Sequence, residues 1–322
     1  LIVLKKPSPP ESNQNASRRL LRCCLIAFCC LAAGLPASVR GQVSSNQARK
    51  LIATMPGLEL KPKVVHVLAV RSIDAATVEA SAEIAMAFRL EQSSPGQWRV
   101  LEFRTGQDQW QGIELIRRAL KVSETANPCD VPDLAVRKQK PSDPTIKRAR
   151  CLLAELLGVQ LPSDDVRIKA VSSMALPFSS KPSAMVEALV AAEFRFQRQN
   201  GSWGVASLKT GSRDWVDAGA IFGAVNVEKV NTARADLESL AKALEVFRVQ
   251  RGAYVESKSE TVLVDFLNPR YLPRVIRLDP WHRPYFYEGT RDHYALSSSG
   301  PDRKANTGDD IVLNGPVHSA SR

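Results

Sequence analysis

Near the C-terminus, apolar residues recur at three- and four-residue intervals: Ala233, Leu237, Leu240, Leu244 and Phe247, with Arg234, Glu238, Lys242, Glu245 and Arg248 between them. That period gathers the apolar set on one stripe and predicts a helix over residues 233–250, ended at Gly252. Shorter helices are predicted over residues 47–54, 108–121, 146–157 and 214–225. Elsewhere the period is two. Val186, Ala188 and Val190, then Phe194 and Phe196, read as a strand, and Asn200–Gly201 reverses it into a second strand that carries Trp203. Pro95–Gly96 and Trp98 repeat the arrangement earlier, and a Gly-containing turn between two such runs is a hairpin signal.

That resemblance between distant stretches is systematic. Ala85-Met86-Ala87-Phe88-Arg89 matches Ala191-Ala192-Glu193-Phe194-Arg195, and Gly96-Gln97-Trp98 matches Gly201-Ser202-Trp203. Arg104-Thr105-Gly106 with Trp110 matches Lys209-Thr210-Gly211 with Trp215. A unit of this length is a duplicated domain, not a solenoid repeat. Each copy reads as a helix, an extended segment, a hairpin and a closing helix, which predicts an α+β fold with a helix on an antiparallel sheet in each of two tandem domains. The expected division is a leader and signal peptide at 1–41, repeat domains at 42–123 and 148–228, a linker at 124–147, a C-terminal module at 229–315 and a tail at 316–322. Trp98, Trp110, Trp203 and Trp215 read as core or edge packing, with a ligand-binding aromatic pair as the alternative.

Composition refines this. The chain of 322 residues carries a formal net charge of +11. Arg18, Arg19 and Arg22 precede an apolar run from Cys23 to Val39, the pattern of a secretory signal with a cut between Gly41 and Gln42. Removing residues 1–41 takes away six positive charges and one negative and leaves +6. No basic run is interleaved with aromatics, so nucleic acid is not an expected partner. An uncleaved leader is the competing reading, and the membrane is expected only through it. Cys129 and Cys151 remain for the exported chain, where a disulfide between them or two separate thiols are both open.

The densest chemistry lies after the last predicted strand, at residues 293–296. There Asp302, Asp309 and Asp310 stand in a loop with Gly300 and Gly308, which permit sharp turns. Three carboxylates brought close repel one another unless a cation sits among them, and oxygen donors suit Ca²⁺ better than a transition metal. A plain acidic surface turn is the alternative. No Ser/His/Asp or Cys/His set and no phosphate-cradling glycine loop stands out, so the chain reads as non-enzymatic.

The order helix, Gly252-x-Tyr254, Leu272-Pro273, Asp279-Pro280-Trp281-x-x-Pro284-Tyr285-x-Tyr287, strand, Ser299-Gly300-Pro301-Asp302, then Asp309-Asp310-Ile311 resembles the soluble domain of the type II secretion major pseudopilin over residues 230–312. The resemblance implies a helix packed on a small antiparallel sheet with a calcium loop. It makes Asp302, Asp309 and Asp310 side-chain ligands, Ser299 and Thr307 carbonyl ligands, and Asp279, Trp281 and Tyr285 structural. The pattern departs from the family at His282, where the family has Gly, and at Val255, where it has Pro. The family's long apolar helix does not precede Val230. The expected function is an exported binding or scaffold protein, periplasmic or extracellular, with a calcium-stabilised pseudopilin-like domain and protein partners among secretion-system components. A membrane-anchored pseudopilus component held by residues 20–39, and an enzyme with a site between the repeated domains, are the other readings.

Overall fold

The computed structural model describes residues 43–122, 129, 144–175 and 181–315. The expected leader, most of the expected linker and the expected tail lie outside the described residues. From the N-terminus the elements are α1 (Ser45–Ala53), β1 (Val65–Ser72), β2 (Thr77–Ser94), β3 (Gln97–Arg104), β4 (Trp110–Gly112) and α2 (Ile113–Leu120). The same order follows in α3 (Ile146–Leu157), β5 (Val166–Met174), β6 (Ser183–Gln199), β7 (Ser202–Lys209), β8 (Val216–Asp217) and α4 (Ala218–Arg251). Then come α5 (Glu260–Leu267), β9 (Phe286–Gly289), β10 (Tyr294–Ser298) and β11 (Ile311–Asn314). The fold is α+β: five helices, one large antiparallel sheet and one small one among the described residues.

The large sheet differs from two tandem domains. β2 and β6 pair antiparallel from Thr77↔Gln197 to Glu91↔Ser183, so the two copies share one sheet of eight strands. On the outer edge of β2, β1 covers Val78–Ile84 and β3 covers Phe88–Ser94, end to end. β5 and β7 divide the outer edge of β6 in the same way. Register shifts fall at matching places, between Val67 and Ala69 in β1 and between Ile168 and Ala170 in β5. The stacking of Arg89 on Trp110, 3.8 Å from the ring centre, has its counterpart in Arg195 on Trp215 at 4.3 Å.

This pairing mixes the cores. One face of the sheet carries two apolar clusters. The first joins Ala48, Ile52 and Ala53 of α1 with Val78–Ile84 of β2 and with Phe194 and Phe196 of β6. The second joins Leu152 and Leu153 of α3 with Val186 and Val190 of β6 and with Phe88, Leu90 and Trp98 of the earlier copy. Each helix therefore packs on strands from both copies. Both helices are capped, α1 by Ser44 and α3 by Thr145, whose side chains accept from the backbone N–H of Gln47 and Arg148. Cys129 and Cys151 are joined by a disulfide with Cα atoms 5.9 Å apart, which ties Cys129 to α3.

A second difference concerns α4. The helices expected at 214–225 and 233–250 are one helix of 34 residues, and the expected boundary at 228/229 falls inside it. Asp217 caps its start, accepting from Ala220 N–H at 2.6 Å, and Gly252 ends it in the left-handed region. The helix expected at 108–121 begins only at Ile113, because Trp110–Gly112 pairs with β3. The C-terminal core gathers Ala233, Leu237, Leu240, Leu244 and Phe247 of α4 around Trp281, Tyr285, Tyr287 and Leu296. Burial of each leucine contributes about 1.5–3 kcal/mol. Among the described residues no helix is long and apolar enough to cross a membrane.

Candidate functional site

The acidic loop hangs from the end of β10 by a buried knot. The Asp279 carboxylate accepts from the backbone N–H of Trp281 (3.0 Å) and Arg283 (2.9 Å) and from the Ser298 hydroxyl (2.6 Å). Ser298 Oγ in turn accepts from Gly300 N–H at 3.2 Å. The Asp-Pro-Trp turn and the start of the loop thus share one carboxylate. Trp281 is buried in the C-terminal core and donates from Nε1 to Asn226 Oδ1 on α4 at 3.3 Å. The Tyr285 hydroxyl donates to Asp236 Oδ2 on the same helix at 3.0 Å, and Arg274 pairs with the other oxygen. Burial and Asp236 push the Tyr285 hydroxyl well above its ordinary value, so it stays a donor.

Within the loop, Gly300 has φ +62°, and a side chain there would collide with the Asp309 carbonyl oxygen. This close approach folds the loop back on itself. Gly308, expected to supply a second sharp turn, has open space around it and no positive φ. The positive φ falls instead on Arg303 (+61°) and Asn306 (+66°).

The fold-back brings Asp309 and Asp310 to one hydroxyl. Thr307 Oγ1 lies 2.7 Å from Asp309 Oδ1 and 3.4 Å from Asp310 Oδ1, and its single proton serves only one of them at a time. Asp309 Oδ2 accepts from Asp302 N–H at 2.9 Å, and Asp310 Oδ2 from Asn306 N–H at 2.7 Å. The Thr307 hydroxyl and the Asp302 N–H hold the Asp309 carboxyl below the usual carboxylate range. Asp302 is turned the other way, its Oδ1 accepting from Lys304 N–H at 2.7 Å. Among the described residues no group of three His, Cys, Asp or Glu side chains is arranged to hold a metal ion. Of the expected carboxylates, then, two converge and the third caps its own turn.

The sequence reading passed over several residues here. Ser298, fully buried, looks like its neighbours in a run of serines. Lys229 and Asp236 are buried polar residues on α4. Burial pushes the Lys229 ammonium down, and nearby Asp279 partly offsets this.

Residues 220–314 match the family model of type II secretion system (T2SS), protein G. The match begins within the first turn of α4 and takes in nearly the whole helix. No curated protein and no solved structure matches the chain.

Proposed function

We propose that this chain is an exported, non-enzymatic binding or scaffold protein of a type II secretion apparatus. Its protein G-like domain engages that apparatus, and the eight-stranded sheet holds a protein partner. The observation that carries this reading is the family match over residues 220–314, which supports a pseudopilin-related role in type II secretion. The same family points to an exported or periplasmic, membrane-associated location. Crosslinking in cells tests the assignment. The full chain is expected to be recovered with secretion-system components and a chain lacking residues 220–315 is not; equal recovery of both would overturn it.

The reading includes a calcium ion on the acidic loop. What supports it is the donor set: two carboxylates drawn to one hydroxyl, their outer oxygens held by the N–H groups of Asp302 and Asn306. Such a pair fits a hard cation, which relieves the repulsion between the two charges. Asp309 and Asp310 would hold it with the carbonyls of Ser299 and Thr307, and Asp302 would join them on turning its carboxylate from the Lys304 N–H. Bound calcium would supply charge compensation, and the chain's residues would keep the loop folded. Thermal unfolding in calcium and in excess chelator is the test. A ligand at ~100-fold above its Kd stabilises the folded state by about 2.7 kcal/mol. The gain is expected in the wild type and absent in Asp309→Ala; identical melts with and without chelator refute a calcium role.

A further inference from the structure

Arg303, at the tip of the acidic loop, does not point into its own domain. Its guanidinium pairs with the carboxylate of Glu59, 244 residues earlier in the chain. Glu59 lies in the connection from α1 to β1, and it is a junction already. Its backbone N–H donates to the Thr105 carbonyl at 2.7 Å, and its carboxylate accepts from Gln109 Nε2 at 3.2 Å. One residue thus joins the α1–β1 connection, the turn between β3 and β4, and the C-terminal loop.

The loop fixes where that guanidinium sits. Arg303 is held at φ +61°, a region an arginine adopts only under constraint. The constraint comes from both sides. Asp302 N–H donates to Asp309 Oδ2, the Asp302 carboxylate accepts from Lys304 N–H, and Arg303 N–H donates to the Gly300 carbonyl at 3.2 Å. The bonds that shape the acidic loop are therefore the ones that aim Arg303. With side chains 29% and 49% exposed, the Arg303–Glu59 pair adds little to stability by itself. Its consequence is coupling, because it transmits the state of the loop carboxylates to the sheet. A second polar tie runs from Arg118 Nε on α2 to Glu228 Oε1 on α4 at 2.6 Å, so α4 also meets the elements that flank the sheet.

We propose that residues 299–310 form a clasp between the protein G-like domain and the eight-stranded sheet, with Arg303 and Glu59 as its closure, so that a divalent cation on the loop tightens the sheet as well as the loop. This rests on the cation reading above. The carboxylates that would hold the ion are those that hold the peptide on either side of Arg303. Without the ion, repulsion between Asp309 and Asp310 loosens the turn and releases the guanidinium. With it, the guanidinium is presented to Glu59.

Hydrogen exchange with mass spectrometry tests this on the full chain, with calcium or with chelator, beside calorimetric titration of calcium into the same protein. In the wild type, calcium is expected to slow exchange in residues 299–310 and, by at least about fivefold, in residues 55–62 and 104–110, the factor a coupling of ordinary size supplies. In Glu59→Gln and in Arg303→Gln the loop keeps its calcium response and the remote segments lose theirs. Calcium heat and loop protection without a remote response in the wild type would sink the clasp and leave the cation reading standing. A remote response that persists in both variants would also sink it. No heat and no protection anywhere would overturn both.

Discussion

At the scale of single residues, His282 has the most to say. It occupies the left-handed region at φ +66°, and a side chain there costs about 1–2 kcal/mol. Three charged residues act on its ring: Lys229 of α4, Asp279 of the same turn and Glu102 of β3. Burial, then Lys229, hold the imidazole below its ordinary value, and the two acids only partly offset them. A folded value below the unfolded one, about 6.5, means that folding favours the neutral ring. The contribution is fully present above pH 6.5 and is lost as the pH falls below it. His282→Asn keeps a side chain that tolerates the left-handed region and removes the titration. Urea unfolding at pH 7 and pH 5 should show the wild type losing stability relative to this variant. Parallel pH responses of the two proteins would refute the assignment.

At the scale of elements, α4 joins the sheet to the C-terminal domain without a break. The sequence predicted two helices here because the strict apolar period begins at Ala233. Yet residues 226–232 contain neither Gly nor Pro, and the change of pattern marks a change of packing partner rather than a helix end. Continuity has a direct test in Val227, which is 63% exposed and contributes little packing. Val227→Pro removes its N–H bond and drives the ring against the Gly223 carbonyl, at a cost of about 3 kcal/mol or more. It is expected to split a single urea transition into two; one unshifted transition would mean that the continuity carries no load. Other elements were legible to different degrees. Both hairpins could be read from Pro95–Gly96 and Asn200–Gly201, whose left-handed positions the structure retains at Gly96 and Gly201. The pairing of β2 with β6 could not, because no local signal encodes a partner about a hundred residues away. The same holds for the loop. A fold-back at Gly300 follows from composition, whereas the reach of Arg303 to Glu59 depends on how the chain closes in three dimensions.

At the scale of the whole molecule, the shared sheet governs how the chain gains stability. Neither repeat owns a complete core, since α1 rests on Phe194 and Phe196 and α3 rests on Phe88 and Leu90. Fragments covering residues 42–123 and 148–228 are each expected to lack cooperative unfolding by circular dichroism when produced alone, and to regain it when produced together. A stable, folded single fragment would contradict the mixed core. In the full chain, Phe194→Ala should cost about 3–5 kcal/mol, the range for deleting a buried ring. By hydrogen exchange the loss should appear in residues 45–53 of the other copy as well as in β6.

The link from Cys129 to Cys151, 22 positions apart in sequence, makes this architecture answer to its surroundings. Closing a loop of that size stabilises a fold by about 3 kcal/mol, and the bond forms where an oxidant is present. Where the surroundings are reducing, the bond is open and the α3 core lacks this tie; where they are oxidising, the bond closes and Cys129 is fastened to the helix. How firmly this part of the fold is held is therefore set by the redox state around the molecule as well as by its packing.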